Sequence, residues 1–185
     1  MQRFRLAAGA TPLPPAGRDG PVLTDGVVYV HACPRAISPH LEWALAAIFG
    51  EPVRVPWSPQ VIIPTAVRTQ LTWTGPIGTA ARITSALLPF TQVRFEVTED
   101  AAPGRLGERF SFTPTLGLFR ADIGPHGDVL IPEDRLRAAI AQSAFPGSSL
   151  AEEVARLLGQ PWDEELESFR CAHEDGTVRI LEQVI

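Results

Sequence analysis

The chain predicts an α+β fold: a ferredoxin-like β-α-β-β-α-β sandwich with a C-terminal hairpin and helical extension. Between Gly26 and Asp100 the patterns run strand, helix, strand, strand, helix, strand. The first strand segment is nearly all apolar, the later ones alternate apolar and polar residues with period two, and the helix segments repeat apolar residues every three or four. A length of 185 residues, 45% of them hydrophobic, suits one domain with an appended subdomain and a core that needs no staples. The expected organisation is a mobile tail over 1–25, the ferredoxin-like core over 26–100, and over 101–185 a hairpin and helices packed on that core.

Each element has its own signal. Gly26–His31 (GVVYVH) is short, β-branched and nearly all apolar, as a central strand should be. Ser38-Pro39 offers an N-cap and a first-turn proline, and Leu41, Ala44, Leu45 and Ile48 then follow at helical spacing up to Gly50. Val53, Val55 and Trp57 alternate with Arg54 and Pro56 as a second strand. Val67, Thr69, Leu71 and Trp73 alternate with Arg68, Gln70 and Thr72 as a third. Gly75–Thr79 turns into a helix striped by Ala80, Ile83, Ala86 and Leu87. Gln92–Thr98 is a fourth strand, with Val93, Phe95 and Val97 on one side. In this arrangement the first and third strands are central, the second and fourth are edges, and both helices cover one face.

Beyond Asp100 the signals are shorter. Phe110, Phe112, Leu116 and Leu118 flank Pro114 as a hairpin. Val129–Ile131 is a short strand. Pro132 opens a helix with Leu136 and Ile140 inward. Ser149 and Glu152 form a capping box for a helix carrying Val154, Leu157 and Leu158. A last helix holds Trp162, Leu166 and Phe169, its acidic start Asp163-Glu164-Glu165 complementing the helix dipole. Val178 and Ile180 fit an edge strand.

Composition excludes several classes. A net charge of −5 argues against non-specific nucleic-acid binding. All 16 basic residues are Arg, a bias that fits GC-rich coding. Cys33 and Cys171 form no CxxC pair and read as free thiols of a reducing cytoplasm. The first twenty residues lack the apolar centre of a signal peptide, and no run approaches the ~20 apolar residues of a membrane span. The expectation is a cytoplasmic protein with no cofactor, no resident metal, and neither nucleic acid nor membrane as partner.

Six blocks in order (GVVYVHACP, SPHLEWAL, LTWTGPIGTA, VRFEVTED, TPTLGLF and HGDVLIPEDRLRAAIA) resemble an actinobacterial family known as domain of unknown function 3145. The resemblance covers roughly Gly26 to Arg170. It implies an actinobacterial, cytoplasmic protein, in keeping with the Arg-only composition. It implies an association with type II fatty-acid synthesis genes, and it carries over no catalytic residue.

Three groups of residues could carry chemistry. His31 ends the first strand, and His40 and Glu42 open the next helix; with Glu96 or Glu99 they could form an acid–base or metal site, or be a strand end and a capping turn. The nearby Cys33 reads as a nucleophile or as a small loop residue. Gly75, Gly78 and Thr79, with Arg82 one turn on, suit a phosphate or carboxylate at a helix N-terminus, or are a tight turn. Trp57 and Trp73, with Arg54, Arg68 and Arg94 alternating outward, suit an interaction surface or a packed, solvated sheet; Arg94 and its neighbours could pair with Glu96. Trp43 and Trp162 are further candidates for core or interface.

The leading reading is a non-enzymatic binding or regulatory module whose partner is another protein, an acidic carrier protein among them. The alternative is a small-molecule enzyme acting on a phosphate- or acyl-bearing anion through His31, His40 and Glu42.

Overall fold

A computed structural model describes residues 22–171. The elements are β1 (Leu23–Pro34), α1 (Ser38–Phe49), β2 (Ser58–Pro59), β3 (Ala66–Pro76), α2 (Thr79–Leu87), β4 (Arg94–Glu99), β5 (Gly107–Thr113), β6 (Gly117–Ile123), β7 (Val129–Leu130), α3 (Glu133–Gln142), α4 (Leu150–Leu158) and α5 (Gln160–Cys171). Mixed helix and strand, it is an α+β protein. The strands form one sheet in the order β2-β3-β1-β4-β5-β6-β7, every pair antiparallel.

β1 and β3 lie inside the sheet, but the middle strand is β4, which was expected at an edge. β5 pairs along it from Phe95↔Phe112 to Glu99↔Glu108, and β6 and β7 follow. The hairpin therefore extends the sheet. β1 starts at Leu23, inside the expected tail; residues 1–21 of that tail and the Val178–Ile180 segment lie outside the described residues. The second strand shrinks to Ser58–Pro59. Pro52 and Pro56 remove ladder donors, so Val53–Trp57 makes no ladder of its own. Val53 and Val55 still enter the core, and Pro56 O accepts a bond from Thr69 Oγ1 (3.1 Å).

One face of the sheet carries the main core. Leu41, Leu45 and Phe49 of α1 and Ala80, Ile83 and Leu87 of α2 pack on Val28, Val30, Leu71, Val93, Phe95 and Val97. Ile48 is only partly buried, and Phe49 takes its expected place. Fully burying a Leu or Ile side chain stabilises by roughly 1.5–3 kcal/mol, so this layer holds the helices.

The opposite face is polar, and α5 lies on it against β1 and β5. Leu166 and Phe169 are its anchors, Phe169 packing with Ala32 and Ala66. A bulge in β1 between Val30 and Cys33 sets this up. It returns Cys33 to the α1 side and leaves Ala32 facing Phe169.

Three local expectations change. Ser38 is not the N-cap of α1: Ile37 is, and Ser38 Oγ donates to Arg35 O (3.0 Å). Ser149 caps α4 by position, but its hydroxyl makes no capping bond, so no capping box forms. Leu136 and Ile140 of α3 point outward, 38% and 52% exposed, and Ala139 is the buried residue of that helix.

Candidate functional site

Alternation along β4 and β5 places Arg94, Glu96, Arg109 and Ser111 on the polar face. His31 joins them from β1. From α5, helical spacing brings Asp163, Glu165 and Arg170 down onto that face.

Glu96 is the centre. Its Oε2 accepts from His31 Nε2 (2.7 Å) and Arg170 Nε (3.1 Å). Its Oε1 accepts from Arg170 Nη2 (2.7 Å), Arg109 Nη2 (2.9 Å) and Ser111 Oγ (3.2 Å). Asp163 bonds both arginines from the far side. Two carboxylates thus balance two guanidiniums between sheet and helix. Burial alone would push the Glu96 carboxyl up. The hydrogen bond from His31 and the charges of His31, Arg170 and Arg109 outweigh it and hold the carboxyl well below its ordinary value. A second clasp lies beside the first: Arg94 donates to Glu165 (3.2 Å) and covers the Phe169 ring at 4.9 Å, and Thr113 Oγ1 donates to Glu165 (2.9 Å).

Five donors saturate the Glu96 carboxylate, which offers about four lone-pair directions. It has no site left for a metal or for a proton from substrate. Among the described residues no three His, Cys, Asp or Glu side chains group to hold a metal ion.

The structure parts His31 from His40 and Glu42. Val30 faces α1, so His31, next in the strand and bonded to Glu96, lies across the sheet from that helix. His40 is exposed on α1, its ring edge-on to Trp43 at 5.0 Å. Glu42 accepts from Trp57 Nε1 (2.8 Å) and ties α1 to the segment before β2. Cys33 is fully buried, and burial pushes its thiol up to about 11, away from nucleophile chemistry.

The glycine turn holds an anion, but the anion is the chain's own. Glu99, buried at the end of β4, accepts from the N–H of Gly78 (2.7 Å) and of Ala80 (2.9 Å). These are the donors an external phosphate would need. Gly78 stands at φ 88°, a conformation other residues adopt with strain. Thr79 Oγ1 donates to Pro76 O (2.6 Å), Gly75 packs against the Thr79 side chain, and Arg82 points away to Ile48 O at the end of α1 (3.5 Å).

Of the expected interaction residues, Trp73 is buried, Trp57 is half-buried and bonded to Glu42, and Arg94 is clasped by Glu165. Trp162 donates to Gly117 O (3.0 Å) and packs on Phe119. Among the described residues Arg54 and Arg68 have no carboxylate partner, and sequence reasoning missed Arg35, whose backbone meets the start of β3. Arg68 Nη1 is enclosed and has no acceptor among the described residues. Burial pulls its guanidinium below the ordinary value.

Arg35 and Arg68 flank the β2–β3 connection, and Arg54 lies exposed on the segment leading into β2. β2 pairs with Val67 and Arg68; Arg35 N–H donates to Thr65 O (3.2 Å), and Gln60 N–H to Ala66 O (3.1 Å). Val61 and Ile62 are exposed in the connecting loop. The β2–β3 corner is therefore basic and apolar on an acidic chain. No helix among the described residues is long and apolar enough to cross a membrane.

Against known proteins, residues 27–183 match a family model described as Protein of unknown function (DUF3145). No curated protein and no solved structure matches the chain.

Proposed function

The chain belongs to the DUF3145 family, and from its geometry we propose that it is a non-enzymatic binding module that docks an acidic protein at the β2–β3 corner. The carrying observation is Arg68: Arg94, Arg109 and Arg170 on the same face each have a carboxylate, and Arg68, whose Nη1 is enclosed, has none among the described residues. An enclosed cation without an acceptor is costly, and an acidic partner would supply the missing oxygen. Arg35 and Arg54 add charge for steering, and Trp57, Val61 and Ile62 add apolar area.

The order β2-β3-β1-β4, with α1 and α2 on one face, supports reading the first half as a ferredoxin-like unit. The module acts in the cytoplasm of an actinobacterium on this reading. The association with type II fatty-acid synthesis that the sequence resemblance implies makes the acyl carrier protein of that system the partner to try first.

Titration of the purified chain with that carrier protein, at low and high salt, tests the proposal. Binding that weakens with salt and falls about 10–150-fold in Arg68→Ala supports it, since a charge-assisted hydrogen bond contributes about 1.5–3 kcal/mol. Duplex DNA of matched charge serves as the competitor. Carrier binding indifferent to Arg54→Ala and Arg68→Ala sinks the reading, and so does stronger binding to DNA.

A further inference from the structure

The pattern of α3 and α4 calls for burial that the described residues do not provide. α4 has the most one-sided distribution of apolar residues of the five helices, yet none of its residues is buried. α3 buries only Ala139. Together they expose Leu136, Ile140, Leu150 and Leu158, and the segment joining them exposes Phe145 (63%). Scattered exposed apolar residues are ordinary; a cluster on two packed amphipathic helices is not. Leu136 and Ile140 stand one turn apart on one helix face, so this is a stripe.

We propose that this α3–α4 face pairs with the same face of a second copy of the chain. The charges around the stripe select that occupant. Glu133, Asp134, Glu152 and Glu153 are acidic; Arg135, Arg137 and Arg156 are basic. The surround is therefore close to neutral, four acidic residues against three basic, with acidic residues at the start of each helix and basic ones after them, Glu133 and Arg137 paired within α3, although the whole chain carries −5. A strongly acidic or basic partner would find no matching field there. A second copy brings the same stripe and the same two signs, and an isologous contact needs that self-complementarity. Two α3–α4 hairpins face to face make a four-helix layer with the stripes inside. The face is distinct from the β2–β3 corner, so the two readings stand or fall separately.

Sedimentation equilibrium of the full chain under reducing conditions, which keep the exposed Cys171 from cross-linking, tests the pairing. The expected result is a species of twice the 20.1 kDa chain mass, with micromolar dissociation that changes little between low and high salt. Ile140→Glu should weaken the dimer at least about tenfold and leave the circular dichroism spectrum unchanged, since residue 140 is exposed. Ile140→Leu should keep it. A chain that stays monomeric up to about 100 μM overturns the proposal. A dimer that survives both Ile140→Glu and Phe145→Ser overturns it too, as does a monomer that uses Ile140 to hold a different protein.

Discussion

Gly26 and Trp73 stand opposite each other on β1 and β3, and the indole occupies the space that a side chain at position 26 would fill. A Cβ there would overlap both the Trp73 ring and the Thr98 carbonyl. Glycine is thus required at this position for close approach, and its cost in strand stability is offset by burial of the largest side chain of the core. Gly26→Ala should destabilise by about 1–3 kcal/mol through overpacking, lowering Tm by roughly 2–12 °C for a chain of this size. In a Trp73→Leu background the same change should cost less. Additive effects in thermal melts of the double mutant would show that the two positions do not compete for space.

Acid should unfold the protein through Glu96. Its folded-state carboxyl titrates well below the ordinary 4.5, so its stabilisation is present in full above that value and is lost as pH falls below it. Denaturant melts from pH 7 to pH 2 should show unfolding free energy dropping steeply below about 4.5 in the wild type. Glu96→Gln leaves Arg109 and Arg170 short of a charge and should lower stability at pH 7 by about 3–5 kcal/mol. It should also flatten the acid limb. An acid limb as steep in Glu96→Gln as in the wild type would place the linkage elsewhere.

Glu99→Gln tests the internal cap of α2. The amide keeps the shape but exchanges one acceptor oxygen for a donor, leaving Gly78 or Ala80 N–H without its partner. The expected cost is about 1–3 kcal/mol. Hydrogen exchange should accelerate first at those two amides. Uniform acceleration across the sheet would mean that Glu99 holds the whole fold and not the helix start.

The two thiols should part cleanly. Cys33 is buried and its thiol pushed up to about 11, whereas Cys171 is exposed. A thiol reagent at pH 8 should label one cysteine per native chain within minutes and the second only on unfolding. Rapid loss of both thiols, or labelling of Cys33 before Cys171, would contradict the packing of β1.

Local pattern revealed most of the fold. The alternation of Val93, Phe95 and Val97, and the spacing of Leu41 with Leu45 and of Ile83 with Leu87, report burial directly, because the period of the chain and the face it buries are the same quantity. The ladder that Pro52 and Pro56 suppress was less legible, since apolar alternation survives in a segment that cannot pair. Leu136 and Ile140 misled for the complementary reason: a stripe says that something should cover it, not that this chain does. The charged cluster was half visible. Arg94 alternating with Glu96 marked a polar face, and the acidic start of α5 marked a helix with charge to place. That the two meet depends on tertiary packing between Glu96 and Arg170, 74 positions apart, which no local window contains.

The clasp between α5 and the sheet has a consequence for the order in which the protein is made. Chains emerge from the ribosome N-terminus first. His31, Glu96 and Arg109 are all synthesised well before Asp163, Glu165 and Arg170. During that interval the β1–β4–β5 surface lacks the α5 side chains that cover it, and its charges face the surroundings of the ribosome. The finished molecule closes it with its own α5. A nascent chain and a mature one therefore present different faces to their surroundings, and a stop anywhere before Asp163 would release the first kind permanently.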